Sequence, residues 1–308
     1  MTDDGGRKDL DSQIQAQIAN ARAQIEATNE RVNARAGRNL PVAIGIALAL
    51  GVVFLLSLIW IKSLFILVGM IFVGFTLYEL ASALRFAGRD VPRIPLVVVG
   101  IGVMPLAYFY GGGGLWLGAL AAIVLVSLWR LLESAFVPRS RTSAREGLHD
   151  VAAGAFCIAY IAVLAGFPVL LTAREGGEWW TLSFIILTTV LDSGALASGV
   201  LFGKTPLAPR ISPSKTIEGL LGAALLTTIT GVLLAIFLLD QPWWVGVIFG
   251  VAIVCSGTIG DLAESVIKRD LGIKDIGSFL PGHGGFLDRL DSVIVSGVVA
   301  YALYAVFA

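Results

Sequence analysis

Asp288 and Asp291 stand three residues apart just after a glycine-rich run, Gly282-His283-Gly284-Gly285. At that spacing two carboxylates in a helix start point the same way, where they can hold a divalent cation and where the helix dipole favours negative charge. The glycines let backbone approach a ligand closely, and the N–H groups of the first helical turn are donors suited to phosphate. Plain helix-start acids would explain one carboxylate, but explain His283, Arg289 and the glycines together poorly. A second run, Gly260-Asp261-Leu262-Ala263-Glu264-Ser265-Val266-Ile267-Lys268-Arg269, closes a long apolar stretch. If a helix continues through it, Asp261, Glu264, Ser265 and Lys268 share one face. A solvated helix end explains Glu264 as well, whereas Asp261 lies too close to the apolar run to be casually exposed.

Two further elements precede these. In Arg210-Ile211-Ser212-Pro213-Ser214-Lys215-Thr216-Ile217-Glu218-Gly219, Ser212 followed by Pro213 reads as a helix N-cap with proline at the first helical position. Unpaired N–H groups would then face a phosphate beside Lys215. An ordinary capped helix with one snorkelling lysine explains the same residues. Asp192 falls near the middle of another apolar stretch, where an ionised side chain is costly unless paired or wet. Its plain alternative is a polar contact to a neighbouring helix.

As one set, carboxylates, cationic side chains, glycine-rich turns and helix starts describe a site for a hard divalent cation and a polyphosphate. The ion expected is Mg²⁺ rather than zinc, because Cys and paired His ligands are missing. There is no G-x-x-x-x-G-K-[ST], H-E-x-x-H or C-x-x-C, and His149 and His283 are the only histidines. The thiols, Cys157 and Cys255, lie in apolar runs and carry no redox information.

The elements that must position these residues are set by composition. Of 308 residues, 56% are hydrophobic and 14% charged, which suits lipid as solvent rather than water. The formal net charge of zero argues against a nucleic-acid partner. Nine apolar stretches follow: 40–60, 64–84, 94–110, 114–132, 150–172, 181–201, 217–239, 244–262 and 290–307. Short connections such as Gly111 to Gly114 can only be tight turns between antiparallel helices. From Arg31 onward, the tail end and the loops after the even-numbered spans hold seventeen Lys and Arg, and the opposite face holds two, Lys62 and Arg174. That bias predicts an all-α polytopic membrane protein of about nine helices, with its N-terminus and longer loops cytoplasmic and its C-terminus external. Residues 1–38 are a polar cytoplasmic tail with a thin apolar stripe, either solvated and partly disordered or a short amphipathic helix. Residues 39–308 are expected to form the transmembrane domain, with the chemically capable residues in 181–308.

The stretch Ser265-x-Ile267-Lys268-Arg269-x4-Lys274-Asp275-x-Gly277-x2-Leu280-Pro281-x-His283-Gly284-Gly285-Phe286-x-Asp288-Arg289-Leu290-Asp291 resembles the signature of the phosphatidate cytidylyltransferase (CDP-diacylglycerol synthase) family. Arg210-Ile211-Ser212-Pro213-Ser214-Lys215-Thr216-x-Glu218-Gly219 resembles that family's second motif, with Ser214 where a first lysine is usual, and Asp192-Ser193-Gly194 resembles its Asp-Thr-Gly. The resemblance implies an enzyme of the plasma or inner membrane that faces the cytoplasm. It would join CTP and phosphatidic acid into CDP-diacylglycerol and pyrophosphate for phospholipid biosynthesis. It also implies a Mg²⁺ requirement, with K⁺ as a second cation, and a homodimer. Asp261 and Asp288 would then hold the metals, supported by Asp192 and Asp291. Lys215, Lys268, Arg269, Lys274 and Arg289 would share the phosphate charge. Ser212, Thr216, Glu218, Ser265 and the His283, Gly284 and Gly285 backbone would complete substrate binding. Alternatives are the same chemistry on another lipid phosphate, isoprenoid or ether lipid, and a transporter. Against a transporter, the charges concentrate on one side and no inverted repeat is visible.

Overall fold

In lipid no water satisfies the backbone, so an apolar run closes its own hydrogen bonds as a helix. A computed structural model describes residues 51–136, 143–273, 275–277 and 285–308. The tail, most of the 40–60 stretch, Lys274, His283 and Gly284 lie outside the described residues. Residues 51–59 are helical. Residues 54–280 and 284–308 belong to one compact unit.

Seven described helices, 21 to 44 residues long, are apolar enough to cross a membrane. They are α1 (Lys62–Phe86), α2 (Arg93–Phe136), α3 (Ala144–Thr172), α4 (Gly177–Phe202), α5 (Ile217–Phe237), α6 (Trp243–Asp270) and α7 (Leu287–Phe307). The chain is thus an all-α polytopic membrane protein. Two short strands, β1 (Pro206–Ala208) and β2 (Ser212–Thr216), pair antiparallel between α4 and α5. Large aliphatic side chains such as Leu120, Leu196 and Leu225 face outward, as a lipid-solvated surface requires.

The expected third and fourth spans are the two arms of α2. The backbone reverses at Gly111 (φ 65°, ψ −151°), a conformation open to glycine and closed to side-chain-bearing residues. The following arm returns so closely that a Cβ at Gly114 would strike the Leu106 carbonyl. The four-glycine run is therefore the tight turn its composition suggested. α3 begins with a capping box, Ser143 with Glu146, and widens into a π-helical stretch over Ile158–Val163.

Ion pairs mark the two ends of the bundle. At one end Arg130, 1% exposed, meets Asp150 at 2.8 Å and Asp90 at 3.4 Å, and Arg85 meets Asp90 at 3.2 Å. At the other, Lys62 pairs with Glu178 at 2.8 Å and the Tyr304 hydroxyl donates to the Glu175 carbonyl at 2.9 Å.

One local expectation is corrected. Ser212 does not cap a helix. It pairs with Ala208 in the hairpin, and Ile217 N–H donates to the Thr205 carbonyl at 2.9 Å. The cap is Thr216, whose hydroxyl accepts from Gly219 N–H at 3.1 Å. Pro213 lacks an N–H, which an edge strand tolerates as readily as a first helical turn does, so proline alone did not discriminate.

Candidate active site

α4, α5, α6 and α7 pack as successive neighbours, and small residues set how closely. A Cβ on Gly260 of α6 would come within 3.1 Å of Ser292 Cα on α7 and nearer still to the Asp291 backbone. This approach carries the acidic face of α6 against the acidic first turns of α7. The result is a cavity of about 520 Å³ walled by α4, β2, α5, α6 and α7.

Into it come Asp192, Lys215, Thr216, Asp261, Glu264, Lys268, Asp288, Arg289 and Asp291. Asp192 is exposed and lines the cavity. Carboxylate oxygens of Asp261, Glu264 and Asp291 lie within 4.8 Å of one another. Glu264 is 2% exposed, so the reading of it as a solvated helix end does not hold. Its Oε2 accepts from Lys268 Nζ at 2.6 Å, and among the described residues its buried Oε1 has no hydrogen-bond partner.

Asp288 is placed differently from the other acids. Its Oδ1 accepts from Lys268 Nζ at 3.0 Å and its Oδ2 from Gly285 N–H at 2.9 Å, so it stands beside the three-acid cluster and shares a lysine with Glu264. Asp291, one turn further along α7, accepts through Oδ1 from the neighbouring Ser292 N–H at 2.7 Å. Lys215 is paired with Asp261. Burial pushes the Lys215 ammonium below its ordinary pKa, and the Asp291, Asp192 and Glu264 carboxylates pull it back up.

The donor set suits a hard divalent cation. Every ligand offered is a carboxylate oxygen, one of them buried without a donor. The cavity holds five carboxylates against three cationic side chains, a formal excess of two negative charges when all are ionised. A divalent cation bound there would offset that excess.

Ser212, Ser265 and Arg269 line an adjoining cavity of about 640 Å³ instead. Glu218 lines neither. Its carboxylate accepts from Lys204 N–H at 3.0 Å, Thr205 N–H at 3.1 Å and the Thr205 hydroxyl at 2.8 Å, which fastens the start of the hairpin to α5. Gly285 supplies the N–H that holds Asp288.

Sequence reasoning overlooked Glu79. This carboxylate on α1 is 4% exposed and accepts from Leu287 N–H at 3.2 Å, one of the donors that a helix start leaves unpaired. A Cβ at Gly277 or Gly285 would collide with it, so glycine at both positions lets the backbone there approach this acid. The signal was available: an acid inside the apolar stretch 64–84, the criterion already applied to Asp192.

Comparison with known proteins identifies the family. The sequence profile of the cytidylyltransferase family matches residues 41–307. A phosphatidate cytidylyltransferase of Mycobacterium leprae is 38% identical over 278 residues, covering 87% of this chain and 88% of that protein. One from Mycobacterium bovis is 35% identical over 271 residues, 87% and 89% of the two chains. One from Staphylococcus saprophyticus is 33% identical over 201 residues, 65% and 75%. With its profile match spanning nearly the whole described fold, this chain belongs to the cytidylyltransferase family.

Proposed function

We propose that the chain is a phosphatidate cytidylyltransferase, which transfers CMP from CTP to phosphatidic acid and releases CDP-diacylglycerol and pyrophosphate. The observation that carries this reading is the meeting of acids from α6 and α7 with Lys215, Lys268 and Arg289 in one cavity among membrane-spanning helices. In the reaction, a phosphatidate phosphate oxygen attacks the α-phosphorus of CTP. A new P–O bond forms as the α–β P–O bond breaks, and pyrophosphate leaves with the electron pair.

A phosphate monoester has a second pKa of about 6, so at neutral pH the nucleophile is already an oxyanion. No general base is required, which suits a cavity whose described walls hold carboxylates and cations. The protein's task is positioning and charge neutralisation. Asp261, Glu264 and Asp291 would hold Mg²⁺, with Asp288 beside them and Asp192 supporting. Bound there, the ion would supply Lewis-acid polarisation of phosphoryl oxygens and positive charge against the leaving pyrophosphate. Lys215 and Lys268 each exchange a carboxylate partner for a phosphate oxygen when substrate enters, and Arg289 and Thr216 donate from the same walls. K⁺ as a second cation belongs to the same proposal.

The α4 wall continues outward into Leu196 and Val200, 71% and 77% exposed, which supports lateral arrival of the lipid phosphate. The seventeen-to-two bias of Lys and Arg supports a site facing the cytoplasm from the plasma or inner membrane. Residues 39–308 would form the catalytic domain, and a homodimer completes the proposal. Purified protein with labelled CTP, phosphatidate and Mg²⁺ should yield a lipid-extractable nucleotide, and omission of metal or phosphatidate should abolish it. Product formed equally well without phosphatidate would refute the reading.

A further inference from the structure

Beside the acidic cavity lies the second one, of about 640 Å³, within the range of small-molecule sites. Two residues, Ser214 and Lys268, belong to the walls of both. The two spaces differ in chemistry. The acidic one runs from carboxylates to outward aliphatic side chains of α4. The second is enclosed by β2 and the end of α6, and its described walls carry no carboxylate. It offers the hydroxyls of Ser212, Ser214 and Ser265 and the guanidinium of Arg269. Ile211, Pro213 and Ile273 add apolar surface. Arg269 Nε–H donates to the Ile211 carbonyl at 3.3 Å, so the hairpin is tied to α6 and the pocket has a fixed floor. Its walls at 211–214, 272 and 273 lie outside the spanning helices.

We propose that this hairpin pocket is the nucleoside subsite, which takes the ribose and pyrimidine of CTP while the triphosphate crosses at Ser214 and Lys268 into the acidic cavity. The inference deepens the functional reading above and rests on it. A sugar needs hydroxyl donors and acceptors, a pyrimidine needs a polar edge and an apolar face, and the pocket supplies both. An acyl chain finds no apolar channel there. A divalent cation finds no carboxylate on the described walls. Because the nucleoside is joined to the α-phosphate, that phosphate lies at the junction, next to Lys268. The lipid phosphate then approaches from the other cavity, so the two substrates meet from opposite sides of one lysine. The hairpin, which no spanning requirement explains, is accounted for as the wall that selects the nucleotide.

The test narrows the pocket without touching the acids. Ser212→Trp and, separately, Pro213→Trp are compared with the wild-type full-length protein in detergent micelles. Each should raise the KM for CTP at least tenfold and leave the KM for phosphatidate within twofold. Inorganic pyrophosphate, which reaches only the phosphate region, should inhibit both variants as it does wild type. Pro213 is an exposed position on an edge strand, so its variant keeps the test decisive if Ser212→Trp fails to fold. A raised KM for phosphatidate with CTP unaffected, or equal weakening of CTP and pyrophosphate, overturns the assignment. A wild-type protein that forms no lipid-linked nucleotide sinks the functional reading instead, a separate outcome.

Discussion

Glu264→Gln separates a metal ligand from a structural acid. Glutamine keeps the shape of the side chain and an acceptor for Lys268, but removes the charge. At the cluster's outer separation of 4.8 Å, two carboxylates repel by about 3.5 kcal/mol at an effective dielectric of about 20. Removing one charge relieves that repulsion toward Asp261 and Asp291. Lys268 is not stranded either, since Asp288 still accepts from it at 3.0 Å. The usual cost of breaking a buried pair, about 3–5 kcal/mol, therefore does not apply in full, and thermal stability should stay near wild type. A bound cation loses attraction of at least the same size as the repulsion relieved. At about 1.36 kcal/mol per tenfold, half-saturation by Mg²⁺ should rise by about two to three orders of magnitude. The assay is conversion of labelled CTP to lipid-extractable product across a Mg²⁺ titration, with melting temperature recorded in the same detergent. Unchanged Mg²⁺ dependence in a normally melting variant would refute the ligand role.

Asp288→Asn should abolish nearly all Mg²⁺-dependent turnover while the protein still melts cooperatively, and wild-type activity would remove Asp288 from the mechanism. Gly260→Ala should separate α6 from α7 where their backbones touch, cost about 1–3 kcal/mol by overpacking, and lower turnover more than tenfold. A variant as active and as stable as wild type would show that this contact does not set the site. Arg130→Met strands buried Asp150 and should cost about 3–5 kcal/mol, with partial recovery in the Arg130→Met/Asp150→Leu pair. Equal melting temperatures for wild type and the single variant would contradict the pairing.

Membrane class, helical architecture, the turn at Gly111 and the segregation of charge were legible in the sequence. Each follows from local chemistry: an apolar run in lipid closes its own hydrogen bonds, a positive φ selects glycine, and charge stays out of hydrocarbon. Helical spacing also showed that Asp261, Glu264 and Lys268 share a face, and the glycine-rich signature carried the family. Spacing along one helix says nothing about which face of the next helix it meets. That rotation comes from small-residue contacts, Gly194 on Ala223 and Gly260 on Asp291. Only the tertiary structure therefore decided that Glu264 completes the three-acid cluster while Asp288 shares its lysine, that Glu218 turns to the hairpin, and that Glu79 reaches Leu287 across 208 residues of chain. The strand at Ser212 belongs with these, because its hydrogen-bond partners lie in Pro206–Ala208 and local propensity had favoured a helix start.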